Sequence, residues 1–209
     1  MKISALCIFF LIFVVSIQAQ ADWKLEKSSN GVKVYTRYVS GWGIKEFKAV
    51  VEVDCSIADA EAVLRDAKGR KEWMHNTYDT RDLEGSSQNE LFSYSAIDAP
   101  WPVSDRDNVT KKVFTYPSRQ QIVVKMTAAP THTAAVSGNV RIQKLQGEWR
   151  FTDLGNGKTE IIQQCLADAG GNIPDWLANS SVIDSPFYTL LNMKKRIDGI
   201  IWSRKMFKK

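Results

Sequence analysis

A chain of 209 residues, 44% apolar and 24% charged, suffices for one domain with a substantial core and calls for no second one. Its formal charge of +5 is modest. The two histidines, His75 and His132, stand in unrelated segments without flanking ligand patterns, so nothing signals a zinc site or a Ser-His-Asp triad, and both are expected at the surface or in loops.

The chain begins with Lys2, an apolar run over residues 5–17 broken only by Ser16, and Ala19-Gln20-Ala21. A charged start, a short apolar stretch and a small-x-small site read as a secretory signal peptide over residues 1–21, cleaved after Ala21. The alternative is a membrane anchor, but a span needs about 20 apolar residues. Cleavage would leave residues 22–209 and, by removing Lys2, lower the formal charge from +5 to +4. An oxidising compartment permits a bridge between Cys55 and Cys165. Their places within or at the ends of strands favour two buried thiols instead, since free cysteine packs as a small apolar residue.

Residues 31–55 alternate as a half-buried antiparallel strand does, with Phe47, Ala49, Val51, Val53 and Cys55 on one face. Ser56 then caps a helix with Asp59 at its third position and Ala60, Val63 and Leu64 at helical spacing, and a second short helix covers residues 71–74. Strand-like runs follow at 78–83, 90–97, 108–116, 120–127, 140–153 and 159–168. Gly85-Ser86-Ser87, Pro117-Ser118 and Gly155-Asn156-Gly157 supply hairpin turns between them. Two longer connections, 100–107 and 129–139, need a functional reason, because extended loops are uncommon in compact domains.

From Asp175 an apolar stripe of Trp176, Leu177, Phe187, Leu190, Leu191, Ile197, Ile200 and Ile201 predicts a terminal helix, broken into two pieces at Pro186. Its end is basic: Lys194, Lys195, Arg196, Arg204, Lys205, Lys208 and Lys209 face only Asp198. Such an end either attracts an anionic lipid surface or complements the helix dipole. The sum is an α+β architecture, a curved antiparallel sheet wrapped around a long C-terminal helix, in which imperfect filling leaves a cavity.

The segments Asn30-Gly31-Val32-Lys33-Val34-Tyr35-Thr36-Arg37, Ile44-Lys45-Glu46-Phe47-Lys48, Trp101-Pro102-Val103-Ser104-Asp105-Arg106-Asp107, Gly138-Asn139-Val140-Arg141, Trp149-Arg150-Phe151 and Gly171-Asn172-Ile173-Pro174-Asp175-Trp176-Leu177 occur in that order. Together they resemble the START family, the steroidogenic acute regulatory protein-related lipid transfer domains, in a secreted bacterial-type form. The resemblance implies a helix-grip fold with an internal apolar tunnel, closed by the terminal helix and an omega loop at 100–107, and one lipid or sterol-like molecule inside. Sterol-binding relatives are expected to place an acidic and a basic side chain in the cavity. The matching positions here read Ser93 and Lys112, so the acid is missing, which leaves an acyl lipid, a phospholipid or another apolar metabolite open.

The expected ligand-binding residues are Tyr94, Trp101, Arg106, Lys112, Met126, Trp176, Phe187, Leu190 and Leu191. Pro100 and Pro102 hold the Trp101 indole near the tunnel mouth. Arg106 lies between Asp105 and Asp107, where it meets a headgroup or, the favoured reading, ties the loop to the sheet. Tyr94, Met126, Phe187, Leu190 and Leu191 are wall candidates that core packing alone would also explain.

No phosphate-cradling glycine loop or nucleophile elbow occurs in the sequence. The aromatic residues fall on buried faces and do not interleave with the basic cluster, which argues against nucleic acid. The expectation is a monomeric, secreted or periplasmic lipid carrier that uses no cofactor and touches an anionic membrane through its basic C-terminus. A helix-grip cavity enzyme, with Asp98, Glu148 or Lys112 as acid or base, and a lipid-dependent sensor without transfer activity are the alternatives.

Overall fold

The computed structural model describes residues 22–171, 173 and 175–206; the side chains of residues 175, 176, 202 and 204–206, and the expected leader at 1–21, lie outside the described residues. Ten strands run in chain order as β1 (Lys24–Ser29), β2 (Val32–Arg37), β3 (Glu46–Val53), β4 (Thr77–Asp82), β5 (Glu90–Ile97), β6 (Arg106–Ser118), β7 (Gln121–Ala128), β8 (Val140–Arg141), β9 (Lys144–Gly155) and β10 (Lys158–Asp168). Two helices, α1 (Ile57–Arg65) and α2 (Arg70–Trp73), lie between β3 and β4, and α3 (Asp175–Met206) ends the fold.

The strands form one sheet in the order β1-β2-β3-β10-β9-β7-β6-β5-β4, with β8 paired in parallel to β6. Because β10 returns beside β3, the chain leaves the sheet at its middle, and α3 lies back across β2 and β3. This is the helix-grip architecture.

Local signals act where the chemistry places them. Ser56 sits in extended backbone and its Oγ accepts the Asp59 amide at 3.2 Å, fixing the start of α1. The β9–β10 hairpin turns through Gly155, Asn156 and Gly157, all three at positive φ, a conformation glycine and asparagine tolerate.

Side chains on the concave face align in cross-strand rows. One row reads Phe114, Val124, Trp149, Gln163, Ala49 and Val34, and the next reads Ile122, Phe151, Ile161, Val51 and Val32. With Trp73 of α2 edge-on to Trp149 at 6.0 Å, and Leu190, Met193 and Ile197 of α3, these residues form the closed core. Cys55 and Cys165 are both buried and free.

Four expectations change. The run 31–55 is two strands, β2 and β3, separated by residues 38–45. β1 joins the sheet as a strand the pattern did not announce. The run 140–153 divides into β8 and β9 at Ile142 and Gln143. The terminal helix is one element rather than two pieces: Pro186 lies inside it, costing the rung to the Val182 carbonyl, while buried Val182, Phe187 and Leu190 hold both sides to the sheet.

Candidate functional site

Where α3 begins, the space between helix and sheet is not filled. A cavity of about 520 Å³ opens there, within the range of small-molecule sites. The sheet supplies Phe47 from β3, Ile97 from β5, Arg106 from β6, and Cys165 and Ala167 from β10. The helix supplies Leu177, Ser180, Ser181, Val182, Asp184 and Ser185, and the rim adds Asp98, Ala99 and Pro100 from the loop after β5 with His75 and Asn76 from the turn after α2. Small side chains are concentrated where α3 faces β10, with Ser180, Ser181 and Ser185 opposite Cys165 and Ala167, while larger apolar groups such as Phe47, Ile97, Ile142 and Leu177 complete the wall.

Of the nine residues nominated from sequence, Arg106 lines this cavity. Its guanidinium donates to the Ser104 carbonyl and to the Gly170 carbonyl at 3.3 Å, joining the 98–105 loop to the segment that leads into α3. The flanking acids are engaged elsewhere: Asp105 Oδ1 accepts the Ala99 amide at 3.0 Å, and Asp107 holds Arg141 through two bonds of 2.7 and 2.9 Å. Burial lowers the pKa of Arg106 and Asp105 opposes that shift. Its Nε has no partner among the described residues.

The other nominations fall elsewhere. Tyr94 is on the opposite face of the sheet, packed with Ala96 and Val109 under the Arg81 guanidinium, because the alternation of β5 sends Ser93 and Ser95 inward instead. Trp101 is 91% exposed at the loop tip rather than lining the mouth, and its bond to Pro102 is cis. Met126, Phe187, Leu190 and partly buried Leu191 belong to the closed core and not to the cavity wall. The Trp176 side chain lies outside the described residues.

Lys112 faces inward but is not among the cavity-lining residues. Its Nζ donates to Ser93 Oγ at 2.6 Å, and Ser93 pairs with Thr110 Oγ1 at 3.0 Å. Burial pushes the Lys112 ammonium down to about 7, with Arg70 adding to the shift and Asp82 opposing it.

His75, expected as an ordinary surface or loop histidine, lines the cavity. Its ring stacks on Tyr188 at 4.9 Å and its backbone N–H donates to Thr189 Oγ1 at 3.1 Å, pinning the turn after α2 to the helix. Burial depresses its pKa, Asp184 raises it and Lys27 lowers it further. Asp184 in turn binds Lys27 at 2.8 Å. His132 does sit exposed in a loop, stacked on Phe92. Among the described residues no group of histidine, cysteine, aspartate and glutamate is arranged to hold a metal ion, and no helix is long and apolar enough to cross a membrane.

An antiparallel sheet gripping a long helix over an apolar hollow defines the helix-grip class. A START domain family model matches residues 17–190, and the chain belongs to that family. An uncharacterized protein of Pseudomonas aeruginosa is 36% identical over 173 residues, covering 83% of this chain and 85% of the relative. Human phosphatidylcholine transfer protein is 24% identical over 166 residues, 77% of each chain. The crystal structure of a STAR-related lipid transfer protein from Xanthomonas axonopodis superposes with a TM-score of 0.78 at 33% identity, covering 84% of this chain and 98% of that one.

Proposed function

We propose that this protein encloses one lipid or similar apolar molecule in the cavity beneath α3 and carries it between membranes. The observation that carries this reading is a hollow of about 520 Å³ with mainly apolar walls in a chain of the START family. The related phosphatidylcholine transfer protein and STAR-related lipid transfer protein support it by their named activities. Burial of ligand surface drives loading, at about 25 cal/mol per Å² before association costs.

The carrier acts without chemistry. Arg106 is occupied by two carbonyls, and the Cys165 thiol is pushed up to about 12, chiefly by burial, which leaves it protonated and unreactive. The leader at residues 1–21 sends the domain, as a monomer, out of the cytoplasm. Trp101 and the basic end of α3 are its membrane contacts: an indole prefers the lipid–water interface, and cations prefer an anionic leaflet. Loading then requires the 98–105 loop and the start of α3 to part.

Native mass spectrometry of protein purified from its own host, with extraction of the bound molecule, tests the reading, and vesicle-to-vesicle exchange tests transfer. An empty protein that moves no lipid contradicts it. Trp101→Ala is expected to weaken vesicle binding with stability unchanged within about 0.5 kcal/mol. A crosslink between the loop and α3 that leaves exchange unaltered refutes the gate.

A further inference from the structure

The hollow is short because its walls stop at a definite row of the sheet. Along β10 it passes Ala167 and Cys165; two residues on, Gln163 pairs across the ladder with Trp149, which packs edge-on to Trp73 at 6.0 Å and stacks on Phe151 at 6.4 Å. On α3 the wall runs from Leu177 to Ser185, and Phe187 and Leu190 beyond it are buried in the closed core. A core of that kind is packed like an organic crystal, so lengthening the hollow means displacing it.

Polar groups gather on the rim. Asn76 and Asp98 are exposed there, joined by the Asp98 amide donating to the Asn76 carbonyl at 2.8 Å, and neither side chain has a hydrogen-bond partner among the described residues. A head group resting at this rim stays in contact with water and takes none of the apolar space. The volume behind it therefore counts chain carbons.

That count admits one chain. A methylene fills about 30 Å³, close to one water's share of the liquid, so a hollow of about 520 Å³ takes on the order of 17 carbons. Two chains of that length need about 1,000 Å³. The second would stay in water, forfeiting about fourfold in affinity for each methylene left unburied.

We propose that the cargo carries a single acyl chain of about 16–18 carbons, and that the hollow measures its length. This rests on the carrier reading above and names the class of lipid the same site takes. Lipids with two chains are then poor cargo, whatever their head.

Calorimetry with lipids matched in head and differing in chain count tests the proposal, using oleoyl-lysophosphatidylcholine against dioleoylphosphatidylcholine and monoolein against diolein. In any pair that binds, the one-chain member is expected to be tighter by about tenfold or more. Two-chain members that bind as tightly or tighter overturn the proposal and leave the carrier standing. Binding of none of the four overturns both. Within the one-chain head that binds tighter, chains lengthened from decanoyl to docosanoyl are expected to gain about fourfold per methylene and to level off near about 17 carbons. An unbroken climb through docosanoyl overturns the ruler. Ala167→Leu, which enlarges a wall residue by three carbons, is expected to bring the plateau forward by about three carbons. A plateau that stays in place in the folded variant overturns the ruler as well, and the lipid panel on the unaltered protein decides without any variant.

Discussion

The two halves of the sheet's interior are built from the same strands and helix, yet one is solid and the other hollow. Under the rear of α3, Leu190, Met193 and Ile197 meet Trp149, Phe151 and Ile161, and each of these side chains is at least 98% buried. Under its front, Ser180, Ser181 and Ser185 face Cys165 and Ala167 across the cavity. Between the two places the residues on α3 and β10 that face each other become smaller. A ligand space arises when a stripe that packs like an organic crystal is continued in residues too small to close it.

Substitutions that treat the two ends alike should therefore give opposite results. The largest effect is expected from Trp149→Ala, which removes an aromatic packed against both Trp73 and Phe151. A loss of about 3–5 kcal/mol is expected, read as a fall in Tm of roughly 6–20 °C. Lys112→Met should instead stabilise by about 1–4 kcal/mol. The sign follows from the depressed pKa: between about 7 and the ordinary 10.5 the folded protein binds fewer protons than the unfolded chain, so stability climbs with pH across that window. The gain from the variant is accordingly greatest at pH 6 and gone above about pH 10.5, and a gain equal at pH 6 and pH 10.5 contradicts the assignment.

Overpacking separates the ends more sharply. Ala49→Phe, in the solid half, is expected to cost about 1–3 kcal/mol. Ala167→Phe, into the hollow, should cost under about 0.5 kcal/mol while emptying the protein of cargo, as native mass spectrometry would record. The smallest effect concerns the thiols, both poorly reactive because burial raises Cys165 to about 12 and Cys55 to about 11. An apolar thiol reagent should label Cys165 before Cys55, and bound lipid should slow that labelling; equal rates would mean the cavity does not admit the reagent.

Much of the fold was legible because its signals are local. The cap at Ser56, the alternation of Phe47, Ala49, Val51 and Val53, and the glycines at 155 and 157 each announce one element. β1 was missed because neither of its faces is buried, so its sequence carries no alternation to read. The break at Pro186 was expected from the local rule, and tertiary packing on both sides of the proline overrode it.

The site was less legible, for a physical reason. Large apolar residues such as Phe187, Leu190 and Met126 attract attention in a sequence, and they are the ones that fill space. The residues that leave the space open between α3 and β10 are alanines, serines and a cysteine, residue types with no pattern of their own. Arg106 was nominated from its distinctive loop, and it lines the hollow. Tyr94 misled because the phase of β5 is ambiguous where Ser93 and Ser95, polar residues, point inward. His75 carried no signal, since its role depends on Tyr188 and Thr189, more than a hundred positions away.

Pro186 gains meaning from where it falls. Its ring leaves the Val182 carbonyl without its usual rung at the boundary between the small-residue front of α3 and the large-residue rear. The gate proposed above would hinge at that turn, with the front half tilting away while Leu190, Met193 and Ile197 stay seated. Such a hinge would confine the energetic toll of admitting a guest to the segment before the proline, and the domain would not have to melt to be emptied.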